Sequence, residues 1–410
     1  MMARKVLQLL VLLLCTFSLR AQFYLPLIQD TTFTSNHYVI ETGTEYHANS
    51  LSNAFTQKFI VGGTLSNEQT QNTFDKQALI NRFAVQSFNE FRCFLGAKKL
   101  GKDSLSWGVK AGIYGHANLF FSKDAFGLAF LGNENYLGNT ANFSELSFHT
   151  SVFQKIGFGI FNKSNKSSLF LNVVNLQQYA KSYVRKGYLT QNEDASEIEL
   201  KLQGELAFTS NNGLSNGIGF ALDFDKRIPV QLMNEQKAII QIQVQNLGLA
   251  FVNKGLTRYE MDSTYEYNGF QINQLIQANS LFGSDFSLMD SLKIQQRVTK
   301  SWVILPAFIQ VAKLIDAAST KKVQTYYGIK LYPTFAAIPA GFFGVYCKLN
   351  PHYSIASSVS YGAFGKFRNG WYFTYTGKKV TSVLGSDDFL GFVSKKAFGQ
   401  SLFLRFSWAI

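Results

Sequence analysis

Glu197-Ile198-Glu199-Leu200-Lys201-Leu202-Gln203-Gly204-Glu205-Leu206-Ala207-Phe208-Thr209 alternates without a slip: its even positions are apolar or glycine, its odd ones mostly charged or amide. A period of two marks a strand with one apolar face and one polar face. At about 3.3 Å per residue the stretch reaches roughly 40 Å, long for a globular strand and suited to one tilted across a bilayer.

The pattern recurs in both directions along the chain. Trp107, Val109, Ala111 and Ile113 oppose Gly108, Lys110, Gly112 and Tyr114; Ile240, Ile242 and Val244 oppose Gln241, Gln243 and Gln245. Phe343, Val345, Cys347 and Leu349, then Ile355, Ser357, Val359 and Tyr361, keep the same phase. Polar turn material at 162–167, 211–216, 226–229 and 365–370 separates the strands. The chain ends inside such a strand, with Leu402, Leu404, Phe406, Trp408 and Ile410 on one side and Ser401, Arg405 and Ser407 on the other. An open sheet would leave that last strand as an unprotected edge; a closed barrel pairs every backbone amide, as lipid requires. This ending resembles that of outer-membrane barrels, whose last strand is read by the barrel insertion machinery; the resemblance implies that Leu404, Phe406, Trp408 and Ile410 are a C-terminal insertion signal, with Ile410 in place of the usual terminal Phe.

The expectation is an all-β protein, a transmembrane antiparallel β-barrel of about 14 strands (range about 12 to 16) with short helical excursions in or near the lumen. Residues 253–298 break the rhythm, with Ile272, Leu275, Ile276, Phe286, Met289 and Leu292 at helical spacings, and 124–142 read as a similar excursion. Residues 1–21 are read as a signal peptide: Arg4 and Lys5, an apolar run over 6–14, then a polar stretch to Ala21. Leu14 before Cys15 is too large for a lipidation site. Residues 22–100 are expected to contribute a plug, first strands or both, and 101–410 the main barrel.

Composition agrees. The 410 residues are 46% apolar and 16% charged, with 39 phenylalanines and 19 tyrosines, too apolar for disorder, and the aromatic weight favours strands over a helical bundle. The formal charge of +13 is scattered rather than clustered, so nucleic acid is not an expected partner. Past the leader the longest apolar window, 302–314, is broken by Pro306, Gln310 and Lys313. Cys93 and Cys347 read as small apolar residues on strand faces rather than as a disulfide.

Short segments resemble an uncharacterised outer-membrane β-barrel family of Bacteroidota, a domain of unknown function related in architecture to fatty-acid-transporter-like barrels. They are Gly132-Asn133-Glu134-Asn135-Tyr136-Leu137-Gly138-Asn139, Gly217-Ile218-Gly219-Phe220-Ala221-Leu222-Asp223, residues 239–251, and Tyr267-Asn268-Gly269-Phe270. The resemblance covers residues 100–410; the first hundred residues lack the family's Asn-Pro-Ala type segment. It implies an outer-membrane location and transfers no active-site residue.

No catalytic set stands out. His37, His47, His116, His149 and His352 lie at no metal-ligand spacing, and no nucleophile elbow, phosphate loop or cysteine pair is present. No catalytic residue, metal or cofactor is assigned, and the chain is read as no enzyme. Asp223 and Asp225 share a strand face; they could hold a cation or shape a constriction, but pairing with Lys226, Arg227 or lumen lysines is the preferred reading. With Glu197, Glu199, Lys201, Glu205, Gln241, Gln243 and Gln245 they form the candidate lumen-facing polar set, because a barrel interior needs satisfied polar groups. Asp387 and Asp388 read as a polar loop. Trp107, Trp302, Trp371 and Trp408, with Tyr326, Tyr327, Tyr372 and Tyr375, are candidates for the interfacial aromatic belts.

The function expected is a monomeric barrel in outer-membrane lipid acting as a channel or transporter for small hydrophobic or amphipathic solutes. The alternative is a non-enzymatic surface interaction barrel that anchors a secretion or gliding component, resembling type IX secretion-associated proteins, with a surface or periplasmic protein partner. A secreted β-sandwich is a third reading.

Overall fold

The computed structural model describes residues 36–95, 105–209, 213–231, 237–268, 294–316, 319–333 and 337–410. The expected signal peptide and the helical spacings over 272–292 lie outside the described residues.

The strands are β1 (His37–Ala48), β2 (Ile80–Phe94), β3 (Leu105–Ser122), β4 (Thr140–Asn142), β5 (Ser147–Asn162), β6 (Ser168–Gln191), β7 (Glu197–Thr209), β8 (Gly217–Gln231) and β9 (Lys237–Asn268). They continue with β10 (Gln295–Ile304), β11 (Phe308–Leu314), β12 (Val323–Leu331), β13 (Ile338–Lys348), β14 (Tyr353–Ala363), β15 (Arg368–Thr376), β16 (Val380–Ser386) and β17 (Gly399–Ala409). Every pairing is antiparallel between neighbours, and β17 returns to β1 with His37 opposite Ala409. β4 and β5 follow one another along β6, β7 and β8 lie end to end between β6 and β9, and β10 and β11 lie end to end along β9. Each of these three pairs makes one broken stave, so the cylinder closes with 14 strands. Closure removes both sheet edges, so the terminal strand is paired on both sides.

Side chains alternate across the wall. On β6 the outward Leu171 and Val173 are 69% and 66% exposed, while the inward Phe170, Asn172 and Val174 are 3%, 3% and 0% exposed. On β17 Leu402, Leu404 and Phe406 point out and Arg405 and Ser407 point in. A cylinder with aliphatic and aromatic side chains outside and Lys110, Lys155, Glu90 and Asp223 buried inside inverts the polarity of a water-soluble barrel and matches a bilayer. Among the described residues no helix is long and apolar enough to cross a membrane, which says nothing about crossing by strands.

The end holding both described termini has tight turns, such as 163–167, 349–352 and 377–379. The opposite end carries α1 (Asn53–Ile60) and α2 (Asn67–Asp75) between β1 and β2, α3 (Lys123–Phe130) and a 3-10 turn (Glu134–Tyr136) before β4, and the short α4 (Leu390–Val393) before β17. Local signals start these helices: Ser66 and Gln69 form a capping box on α2, and the Ser122 hydroxyl accepts from the Ala125 amide at 3.0 Å on α3. The barrel wall thus includes β1 and β2.

The wall is uneven in height. β9 has 32 residues and β6 has 24, whereas β15 has nine and β16 seven. About 100 Å of extended strand in β9 carries it, with β6, β7 and β10, well past the loop end of the shorter wall. The expected break in strand over 253–298 is corrected here: β9 runs on to Asn268 and β10 resumes at Gln295. Gly255 takes a φ of 104° and the β9–β10 register shifts between Thr299 and Ser301. That bulge resets the alternation, so a continuous strand reads as a lost one.

Candidate functional site in the barrel lumen

Inward-facing residues of the tall half build a charged crossbar. Asp223 on β8 accepts from Lys110 of β3 and from Lys155 of β5, each at 2.7 Å. Its carboxylate also takes the Asn172 side-chain amide at 2.9 Å and the Asn246 backbone N–H at 2.7 Å. Asn246 can present that N–H because it holds a φ of 58°, a left-handed conformation that asparagine tolerates better than most residues. The register between β8 and β9 shifts at this point, between Leu222 and Phe224.

The network continues toward the closing seam. Lys110 lies 3.1 Å from Glu90, which also pairs with Arg92 at 3.1 Å and accepts from the Tyr114 hydroxyl. Arg92 pairs with Glu41 on β1, and Glu41 lies 3.2 Å from Arg405 on β17. Lys155 stands 4.3 Å above the Tyr114 ring. Buried charges persist only when opposed and hydrogen-bonded, and alternating sign supplies that here.

Glycine makes the room. A Cβ on the inward-facing Gly157 would meet the Asn172 side-chain oxygen and the Lys110 stem. Gly157→Ala is therefore expected to displace Asn172 from Asp223 and cost about 1–3 kcal/mol by overpacking, measured as a lower urea midpoint for the folded barrel in detergent micelles.

Beside the crossbar lies a cavity of about 130 Å³. Its polar lining includes Asp223, Asp225, Gln241, Gln243 and Gln245, and its apolar lining includes Phe88, Phe153, Phe170, Phe308 and Phe403. Phe88 touches two inward-facing apolar clusters, one containing Phe308, Tyr326, Phe342, Tyr372 and Phe403, the other Phe153, Val174, Leu176 and Val303.

The residues singled out from the sequence fall in separate places. Asp223, Asp225, Gln241, Gln243 and Gln245 come together at the cavity; Asp225 is held by Arg227 and Gln241, each at 3.0 Å. Glu197, Glu199 and Lys201 are exposed on the part of β7 that rises past the shorter wall, and Glu205 there pairs with Lys181 at 3.0 Å. Trp107 and Trp408 lie at the terminal end of the cylinder, Trp107 stacked on Phe158 and Trp408 on Tyr38. Trp302 and Trp371 are 56% and 42% exposed on the outer surface. Leu404, Phe406 and Ile410 are exposed at the end of the chain.

Two sequence readings are corrected. Tyr326 and Tyr372 are 0% and 2% exposed and face the lumen; each follows or precedes an outward aromatic, and neighbours on a strand cannot share a face. Asp387 and Asp388 are buried at 1% and 3% exposure rather than set in an open polar loop. Their backbone amides donate to Ser401, and the Asp388 carboxylate lies 3.7 Å from His47, whose other ring nitrogen is 2.5 Å from Glu45. His116 and His149, separate in sequence, meet inside the barrel with ring centroids 6.2 Å apart. Cys93 and Cys347 are free thiols. Among the described residues no group of three or more His, Cys, Asp or Glu is placed to hold a metal.

Sequence reading missed most of the crossbar: Lys110, Lys155, Glu90, Arg92, Glu41 and Arg405. Lys110 and Lys155 both sit on the glycine-bearing face of an otherwise apolar alternation, and that phase was the available signal.

No protein-family model matches the chain, and no curated protein matches it. Among solved structures it is similar to the toluene transporter TodX of Pseudomonas putida, with 8% identity, 92% of this chain and 90% of that chain covered, and a TM-score of 0.35. It is also similar to the translocator domain of the autotransporter NalP from Neisseria meningitidis, with 7% identity, 93% and 90% covered, and a TM-score of 0.30. For the transport unit of the autotransporter AIDA-I from Escherichia coli the identity is 8%, both coverages are 96%, and the TM-score is 0.25.

Proposed function

We propose that this chain is a non-catalytic outer-membrane β-barrel that admits small hydrophobic or amphipathic solutes, and that the crossbar and the clusters around Phe88 hold its lumen closed. The lumen cavity supports this reading most directly: about 130 Å³, lined by glutamines and charges as well as by six phenylalanines. A cavity of about 150 Å³ accommodates a benzene ring, so a small aromatic carrying one polar group suits both the size and the mixed lining. Phenol is the probe. Saturable phenol binding to the folded protein in detergent is expected, with Phe88→Trp, which fills the cavity, weakening it at least tenfold. Planar bilayers containing the wild-type protein should show no steady conductance. Binding indifferent to Phe88→Trp, or a constitutively open pore, refutes the reading.

A second reading, a surface interaction barrel, is favoured by the rise of β6, β7, β9 and β10 past the shorter wall. Among the described residues β10 pairs only with β9, and strand addition is one way such a projecting ribbon could take a protein partner. A protein partner that survives detergent extraction, together with absent phenol binding, selects this second reading.

A further inference from the structure

The short wall has a consequence for the loops above it. β14 and β17 have 11 residues, β15 nine and β16 seven. At about 3.3 Å per residue and a tilt near 45°, seven to nine residues rise only about 16–21 Å, less than the ~25 Å apolar band of a membrane barrel. The connections that start from the loop ends of β15 and β16 therefore begin within that band rather than above it.

Their side chains suit that position. Phe389, Leu390, Phe392 and Val393 of the α4 connection are 44%, 39%, 48% and 67% exposed, and Phe367 of the neighbouring turn is 58% exposed. Beside them Lys366, Lys395 and Lys396 are exposed, and Lys366 lies 4.8 Å over the Phe398 ring, joining turn and connection. The two acids of the connection, Asp387 and Asp388, are buried, so its exposed charge is cationic. The patch is fixed in place: the Asn53 side chain donates to Gly391 and Gly399 carbonyls at 3.1 and 3.0 Å, and the Phe389 amide donates to Asn369 at 2.8 Å.

We propose that the α4 connection and the 364–367 turn form a lipid anchor, with Phe367, Phe389, Phe392 and Val393 among acyl chains and Lys366, Lys395 and Lys396 on anionic lipid headgroups. This rests on the reading that the barrel spans a bilayer. The long stems of the lysines reach the headgroup layer from a buried base, and each surface cation adds attraction to anionic lipid.

The test uses full-length protein folded into phosphatidylcholine vesicles containing one-third phosphatidylglycerol, with brominated acyl chains. Tryptophan is introduced by Phe392→Trp and, as a band control, by Leu171→Trp, and the wild-type emission is subtracted. Quenching of both is expected. Quenching of the Leu171→Trp signal alone overturns the anchor and leaves a patch that faces protein or water; quenching of neither overturns the membrane reading itself. In a second arm, native mass spectrometry compares retained phosphatidylglycerol with phosphatidylcholine. The triple variant Lys366→Gln, Lys395→Gln, Lys396→Gln is expected to retain phosphatidylglycerol at least fivefold less, about what one surface cation contributes, with phosphatidylcholine unchanged. Equal retention, or displacement of the lipid by inorganic phosphate, overturns the headgroup assignment.

Discussion

Asp223→Ala is expected to destabilise the barrel by about 3–5 kcal/mol, the usual consequence of removing one partner from a buried ion set. Asp223 is the carboxylate on which Lys110 and Lys155 both converge at 2.7 Å, and Lys155 is 1% exposed. Without it two ammonium groups face each other inside the cylinder, and the Asn246 amide loses its acceptor. Removing the whole set tells a different story. In Lys110→Met, Lys155→Met, Asp223→Leu the uncompensated charge is gone, and Glu90 keeps Arg92 and the Tyr114 hydroxyl as partners. That variant should recover most of the stability, because a buried ion set replaced together by apolar groups of similar volume is often neutral. Equilibrium urea unfolding in detergent micelles reads both. A loss below about 1 kcal/mol for Asp223→Ala would mean that water reaches these lysines and that no crossbar closes the lumen.

The same geometry explains how far the sequence could be read. The fold was legible because alternation is local: each strand that faces lipid on one side writes its address in its own residues, as at Glu197–Thr209 and Gly399–Ala409. It failed where phase slipped. The bulge around Gly255 reset the alternation, and β9 and β10 past that point carry polar residues on both faces, so they read as irregular. β1 was illegible for a related reason: His37, Glu41, Glu45 and His47 all point inward and are buried by partners elsewhere in the chain. A charged inner face looks like a polar surface until its counter-ions are known, and those lie on β2, β15 and β17. Asp223 and Asp225 were visible because they share a strand face, and Asp225 finds Arg227 two positions on, but the lysine partners of Asp223 are 68 and 113 positions away in the chain (155 and 110 against 223). Side-chain type gives the need for a partner; only the closed register says which one.

Leu171→Arg should cost about 2–4 kcal/mol in a bilayer, the penalty of a cation on the lipid face near the middle of a membrane barrel. Leu171 is 69% exposed, lies outward on β6 between Leu169 and Val173, and faces Leu222 of β8 across the strand pair. In water an exposed leucine-to-arginine change is close to neutral, so the size of the effect measures the medium and not the packing. Gln243→Arg is the matched control: it places the same cation on the lumen face, at the cavity near Asp225, where water and a carboxylate can receive it. Reversible folding into phosphatidylcholine vesicles, followed by heat-modifiable gel mobility, should show Leu171→Arg clearly less stable than Gln243→Arg. The order should vanish for variants assayed in a detergent that hydrates the inserted guanidinium, because the penalty belongs to the hydrocarbon. Equal effects in vesicles would place protein or water, not acyl chains, against the outer face of β6.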